Sequence, residues 1–310
     1  MDAGKGCKLS FAADMLLMLT DGLVKHPSVD TCKGRVGSVN VEQPRNFTVQ
    51  LNQDKLAETS SSDPHSDKIS TERVVLCTGS APTNRDVPYD IPGLRNLDLD
   101  TALSPSMLSE TLSSDSPLSI AVIGASHSAI LVLWNLSNLA LTTHSKLRIK
   151  WFTRHSLRYA EYMDGWILRD NTGLKGEAAD WARANLEPAT FSSSPVSQVV
   201  EKIAYERKDE DAVMERNLKG CNLVVQAIGF TKDPLPDLRR GADGQAVVPY
   251  YDHLTGSFSE GKDGGEKIPG LYGAGIAWPE QVTDPHGNVE YAVGFWKFMR
   301  FLKRVTPDWN

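Results

Sequence analysis

The chain has 310 residues, of which 40% are hydrophobic and 23% charged, and a net charge of -6 at pH 7; this composition is typical of a globular protein with one large or two ordinary domains. The negative charge argues against a general nucleic-acid binder, because such a protein needs a basic face to neutralise phosphates. No apolar run reaches the roughly 18 residues of a membrane span, and no signal-type apolar core follows Met1, so we expect a cytoplasmic protein with no membrane partner.

The first quarter of the chain predicts one helix, two strands and a loop. Residues 11–24 carry apolar side chains on a helical stripe, which predicts a helix that faces the core. Residues 35–41 and 46–51 each alternate apolar with polar or small side chains, which predicts two strands of a meander. Residues 56–71 are rich in Ser and Asp and predict a surface loop.

A buried strand ending in a glycine turn is predicted next. Residues 73–82 read R-V-V-L-C-T-G-S-A-P, so Gly79 and Ser80 follow the strand directly, and the triplet I-P-G comes at 91–93. Taken alone, this segment also matches any strand that closes in a Gly/Ser turn.

The stretch S-I-A-V-I-G-A-S-H-S-A-I-L-V-L, at 119–133, has the order strand, tight turn and helix. Such a turn places free amide hydrogens and the positive end of a helix dipole above the strand, where a pyrophosphate binds. The turn matches G-x-G-x-x-G/A with Ser in the second position and Ala in the third. A degenerate turn without a ligand has the same local pattern. The candidate cofactor-binding residues here are Gly124, Ser126, His127, Ser128 and Ala129.

Two arginines follow the next predicted strand. Residues 147–152, L-R-I-K-W-F, predict the second strand of a β-α-β unit, and Arg154 and Arg158 lie just beyond it. An acidic residue at this place holds the ribose of NAD, whereas a basic one accommodates the 2′-phosphate of NADP. We therefore predict NADPH, with Arg154 as the first phosphate contact and Arg158 as the second. The alternative is that both are ordinary solvated arginines.

Four further elements lead to a second glycine turn. Residues 176–185 predict an amphipathic helix, residues 196–205 a strand, and the charged residues 206–216 a hairpin tip. Residues 221–234, C-N-L-V-V-Q-A-I-G-F-T-K-D-P, then repeat the earlier order of a buried strand and a turn, with Gly229 in the turn.

The last segment predicts a strand and a helix. Residues 268–276, I-P-G-L-Y-G-A-G-I, predict a strand that closes on Gly273 and Gly275. The sequence G-N-V-E at 287–290 leads into residues 291–303, whose apolar spacing predicts a helix.

The pattern of metal ligands predicts no metal site. The four cysteines stand at positions 7, 32, 77 and 221, so none forms a C-x-x-C pair, and the seven histidines are scattered along the chain. No acid and base pair stands at a diagnostic spacing either, so the sequence predicts no catalytic residue.

These segments together resemble the flavoprotein oxidoreductases with two dinucleotide-binding domains. The resemblance covers about residues 74–304 and is strongest to the class B and N-hydroxylating flavin monooxygenases, especially the lysine/ornithine N-hydroxylases. It implies an α/β fold in which a Rossmann-like, NADPH-binding domain (113–230) is inserted into an FAD-type domain of the three-layer ββα/βαβ kind (1–112 and 231–310).

The resemblance also implies cofactors, a reaction and a set of site residues. The cofactors are NADPH and FAD, and the reaction is the oxygenation of a small metabolite, such as N-hydroxylation of an amine. The two crossover turns would lie near the cofactors, the turn after the last strand would face the flavin, and the loop before the last helix would lie at its pyrimidine end. The residues so implied are Gly79, Ser80, Gly229, Gly273, Gly275, Ile276 and Asn288.

One departure from the family keeps three hypotheses open. The family begins with a strand and G-x-G-x-x-G for the FAD pyrophosphate, and this sequence has neither, so we expect an FAD-type domain without its first β-α-β unit. The chain is then an FAD- and NADPH-dependent monooxygenase, or a truncated or split flavoprotein that is inactive alone or whose flavin site is completed by a partner chain or by a homo-oligomer. The third hypothesis is a non-redox descendant that uses the old cleft for binding or cyclisation.

Overall fold

The computed structural model describes residues 9–52, 68–87, 91–114, 116–241, 243–261 and 265–309. These residues form two compact units. The first unit is Ala81–Thr231, and the second contains the described residues up to Ser80 together with those from Lys232 onward. The first unit is therefore an insertion in the chain of the second.

Helices and strands alternate in the middle of the described chain, whereas the segments before and after it consist mostly of strands. Helices α1 to α8 are Leu9–Val24, Leu99–Leu103, Pro105–Thr111, His127–Thr142, Gly176–Asn185, Pro188–Phe191, Glu210–Leu218 and Phe295–Val305. Strands β1 to β10 are Arg35–Gln43, Asn46–Asn52, Lys68–Thr71, Val74–Leu76, Ser80–Pro82, Arg95–Asn96, Leu118–Ile123, Leu147–Thr153, Glu161–Tyr162 and Ile167–Leu168. Strands β11 to β20 are Val200–Ala204, Leu223–Gln226, Phe230–Lys232, Asp237–Arg240, Gln245–Ala246, Pro249–Tyr251, Ser257–Glu260, Glu266–Gly273, Glu280–Thr283 and Val289–Ala292.

The first unit is built on a parallel sheet of five strands in the order β11-β8-β7-β12-β6. Helix α4 connects β7 to β8, and the order of β7, β8, β11 and β12 is the 3-2-1-4 order of a doubly wound Rossmann-type sheet. Strands β7 and β12 are almost wholly apolar because both faces of the sheet are covered. The predicted α/β fold is confirmed.

The residues just before β7 pack with this sheet. Strand β6 pairs with β12, and Leu97, Leu99 and Leu108 are buried in the same core as α4. We expected the inserted domain to begin at residue 113, whereas this packing places the boundary of the unit at residue 81.

The second unit contains two larger sheets. One has the order β15-β14-β1-β2-β3, and β1 pairs with β2 in the antiparallel arrangement that the alternating pattern predicts. The other has the order β16-β17-β18-β4, in which β18 and β4 are parallel. Their shared core includes Phe47, Phe258 and Leu271.

Three predictions about the elements are wrong. Helix α1 forms, but it does not face a core, since Phe11 and Met18 are 64% and 68% exposed. Lys68–Thr71 is a strand rather than part of a loop, because it pairs with β2; the expected loop at 56–67 lies outside the described residues. The charged segment 206–216 is largely helix α7 and not a hairpin, with acidic residues in its first turn and Arg216 in its last, as the helix dipole favours.

No helix in the described part of the chain combines the length and the apolar content needed to cross a bilayer.

Candidate functional site

A cleft of about 760 Å³ opens in the first unit at the carboxyl ends of β7 and β12. The chain passes from β7 toward β8 on one side and enters β12 on the other, so the strand order reverses between these two neighbours. Ligands of open α/β sheets bind at this kind of switch point.

The turn after β7 forms one wall of the cleft and requires glycine. Gly124 has φ +132°, and a Cβ at this position would lie 2.3 Å from the carbonyl oxygen of Ala227 and 3.4 Å from Cβ of Ala129. Ala129 itself is fully buried. The small residues in the first and third positions of the motif therefore allow the close approach of β7, β12 and α4.

Helix α4 begins directly at the turn, with Ser126 as its N-cap. The Ser126 side chain makes no capping hydrogen bond, and the first intrahelical bond runs from Ile130 N–H to the Ser126 carbonyl oxygen, at 3.0 Å. The first-turn amides are free of intrahelical partners, as at any helix start. Gly124, Ala125 and Ser126 line the cleft.

The other predicted turn residues do not line the cleft. Ala129 packs in the core, and His127 and Ser128 lie on the first turn of α4. Partial burial and then the charge of Lys175 lower the pKa of His127.

The lining of the cleft is also rich in arginine. The predicted Arg154 and Arg158 both line the cleft, together with Arg85 and Arg207. Arg154 Nη1 lies 3.5 Å from Glu210 Oε2, and the two side chains are 36% and 30% exposed. Acidic residues of the lining offset part of this positive charge; they are Asp86, Glu210 and Asp211.

The first crossover turn lies in the second unit. Gly79 has φ +80°, and a Cβ there would lie 3.1 Å from Asp233 Oδ2. Ser80 Oγ is buried and has no hydrogen-bond partner among the described residues. Gly229, in the second crossover turn, has φ +117° and lines the cleft of the first unit.

The turn after β18 differs from the expectation at one position. Gly273 does not offer an open face, because a Cβ there would lie 2.7 Å from the Trp278 ring and 2.9 Å from the Tyr251 ring. The protein's own aromatic side chains cover it. Gly275 has φ +84° with nothing within 4 Å of an added Cβ, and Ile276 is 41% exposed.

Asn288 lies in a hairpin turn and not at a helix start. Asp284 Oδ1 accepts from the Asn288 N–H at 2.8 Å and from the His286 N–H at 2.9 Å, while Asp284 Oδ2 accepts from Asn288 Nδ2. This turn joins β19 to β20. The helix predicted at 291–303 is present as α8, but it begins at Phe295 rather than at residue 291, because strand β20 continues to Ala292 and Gly294 has φ +135°.

Comparison with known proteins identifies a relative over the whole chain. No family model matches the sequence. Monooxygenase AgnR1 from Paecilomyces divaricatus is 49% identical over 311 residues, which cover 100% of this chain and 76% of that protein. The chain belongs to the same monooxygenase family.

Two solved flavoprotein structures are distantly similar to this member of the monooxygenase family. Ornithine N-hydroxylase KtzI from Kutzneria has 12% identity and a TM-score of 0.47, with 85% of this chain and 69% of that one covered. The flavoprotein disulfide reductase RclA from Escherichia coli has 10% identity and a TM-score of 0.44, with 96% and 54% covered. Neither likeness is close enough to transfer a function.

Two residues that line the cleft of this family member were not predicted from the sequence. Gln226, at the end of β12, is buried and clamps the Arg85 backbone: its Nε2 donates to the Arg85 carbonyl at 2.7 Å, and its Oε1 accepts from the Arg85 N–H at 3.1 Å. Tyr205 follows β11, and burial and then Glu210 raise its pKa. The available signal was position, because both residues stand at the carboxyl ends of parallel strands.

Within the described ranges, no group of three or more His, Cys, Asp or Glu side chains is arranged to hold a metal ion.

Proposed function

We propose that this chain is an NADPH- and flavin-dependent monooxygenase of a small metabolite, and that its first unit binds NADPH. Membership of the monooxygenase family supports the reaction class. One observation carries the cofactor assignment: a glycine turn and a helix start at the switch point of a parallel sheet face an arginine-lined cleft.

The residues of the cleft fit a dinucleotide that carries an extra phosphate. The pyrophosphate fits the start of α4, where Ala125 and Ser126 line the cleft and amides are unpaired. The 2′-phosphate fits Arg154 and Arg158, which follow the strand next to β7. NADPH supplies a hydride when bound, while the side chains bind and orient it.

The described residues do not fit the pyrophosphate of FAD in the same way. In the second unit, the one described strand that leads through a glycine directly into a helix is β20, which runs into α8 and belongs to the antiparallel β19–β20 hairpin. The cradle of a dinucleotide pyrophosphate instead follows a strand of a parallel sheet. We therefore assign no step to residues of that unit. This difference favours a second candidate function, a chain that binds NADPH itself and whose flavin site is completed by a partner chain or by a second copy.

Absorbance separates the two candidates. The purified chain absorbs in the near-ultraviolet and blue if it retains flavin by itself. A colourless chain that binds NADPH, and that gains this absorbance only with added FAD and a partner chain, supports the second candidate.

Titration with NADPH and NADH tests the nucleotide site. A charged hydrogen bond is worth about 1.5–3 kcal/mol, so Arg154→Ala weakens NADPH binding by roughly 10- to 100-fold, and NADH binding changes little. Arg158→Ala has the same direction and a smaller effect. Arg216→Ala is the matched control, because Arg216 is exposed on α7 outside the cleft.

Wild-type chain that binds neither nucleotide contradicts the proposed function. If Arg154→Ala loses affinity for NADH and NADPH equally, only the assignment of Arg154 to the 2′-phosphate is contradicted.

A further inference from the structure

Trp151 is a buried residue whose side chain contacts the glycine turn after β7. It lies in β8, is fully buried, and donates its indole Nε1–H to the carbonyl oxygen of Gly124 at 2.8 Å. An indole can only donate, so this bond fixes which way the Gly124 carbonyl points.

The Gly124 carbonyl points away from the cleft. Trp151 belongs to the core on the α4 side of the sheet, together with Ile149 and Ala129. The next residue, Phe152, projects to the opposite face, where it packs with α7 and lines the cleft. A carbonyl that accepts from Trp151 is therefore directed to the α4 side.

The opposite end of the same peptide group then faces the cleft. In a planar trans peptide, the carbonyl of Gly124 and the N–H of Ala125 point in opposite directions. Ala125 lines the cleft, and no described residue accepts a hydrogen bond from its N–H.

We propose that Trp151 is a positioning residue that holds the Gly124–Ala125 peptide so that the Ala125 N–H donates to the pyrophosphate of the bound dinucleotide. This inference rests on the proposed function of the first unit. A glycine tolerates many backbone conformations, so the peptide needs an external partner to keep one orientation. Trp151 can act as that partner because neighbouring residues hold it in position. It pairs with Val122 in the sheet register, and Lys202 Nζ lies 4.7 Å from its ring.

Two ligands separate a positioning role from general packing. NADP⁺ contains the pyrophosphate, whereas 2′-AMP carries the 2′-phosphate and no pyrophosphate. Trp151→Phe keeps an aromatic ring and removes the donor. The expected result is about tenfold weaker binding of NADP⁺, the equivalent of one hydrogen bond to a charged group, with unchanged binding of 2′-AMP. Trp181→Phe is the control, because Trp181 stacks on Trp134 away from the turn.

The outcomes are distinct. Wild-type chain that binds no NADP⁺ overturns the proposed function and this inference with it. If the wild-type chain binds NADP⁺ and Trp151→Phe binds it equally well, the inference is overturned and the proposed function is left intact. The same holds if Trp151→Phe loses affinity for NADP⁺ and 2′-AMP equally.

A measurement on the wild-type chain replaces the variant if Trp151→Phe does not fold. A pyrophosphate bound to the Ala125 N–H polarises the peptide and strengthens the indole hydrogen bond. With ¹⁵N-labelled tryptophan, NADP⁺ then shifts one indole proton downfield and 2′-AMP does not. An indole spectrum that is insensitive to NADP⁺ overturns the inference.

Discussion

Replacement of Gly124 by alanine tests the architecture of the turn. The added Cβ would lie 2.3 Å from the Ala227 carbonyl oxygen and 3.0 Å from its carbonyl carbon. Both are backbone atoms at the end of β12, so they cannot rotate away. The residue would also keep φ +132°, a region that is essentially closed to side chains.

Two destabilising contributions to the free energy of folding add in Gly124→Ala. The unfavourable backbone conformation costs about 1–3 kcal/mol, and the shift needed to relieve the overlap costs about 1–3 kcal/mol more. Gly220→Ala is the matched control in the same unit, because Gly220 has φ +84° and nothing within 4 Å of an added Cβ. It has no overlap term, and its backbone term at φ +84°, near the left-handed helical region, is no larger than that of Gly124 at φ +132°. Gly124→Ala is then less stable than Gly220→Ala by at least about 1 kcal/mol, or roughly 2–4 °C in Tm.

Thermal unfolding followed by circular dichroism measures this difference, with titration of NADP⁺ as a second readout. Gly124→Ala should unfold at a lower temperature than Gly220→Ala and lose nucleotide binding, since the turn and the start of α4 must move. If the two variants unfold together and bind NADP⁺ equally, the close approach of β7 and β12 is not what requires glycine at position 124.

Two further predictions concern charged groups of the first unit. Glu210→Gln removes the carboxylate 3.5 Å from Arg154, so NADPH should bind severalfold more tightly and NADH should not. Isothermal titration measures both affinities. An unchanged ratio of NADPH affinity to NADH affinity contradicts competition between Glu210 and the 2′-phosphate. The pKa of His127 is lowered by burial and by Lys175, so the folded state favours the neutral ring. The contribution of His127 to the free energy of unfolding is therefore present above pH 6.5 and is lost as the pH falls below that value. In His127→Gln, the free energy of unfolding, measured with urea across the pH range, should fall less steeply below that pH than in the wild-type chain. The same pH dependence in both chains contradicts this role of His127.

Local patterns in the sequence were enough to predict the element that builds the candidate site. The apolar run, the glycine and the helical spacing around residue 124 predict the strand, turn and helix that the structure contains, and the predicted helix at 176–185 matches α5 at both ends. These features depend on neighbours along the chain: the period of apolar residues and the conformational freedom of glycine act over a few residues.

The tertiary structure alone decided which distant residues meet at that element. Gln226 reaches the Arg85 backbone across 141 positions, and Trp151 reaches Gly124 across 27. In the second unit, Trp278 covers Gly273. Asp284 closes a hairpin turn around Asn288, so that strand β20 occupies residues 291 and 292, where apolar spacing had predicted the start of the last helix. Strand order and side-chain packing set these contacts, and both arise from the free energy of the whole folded unit, which no short window of sequence contains.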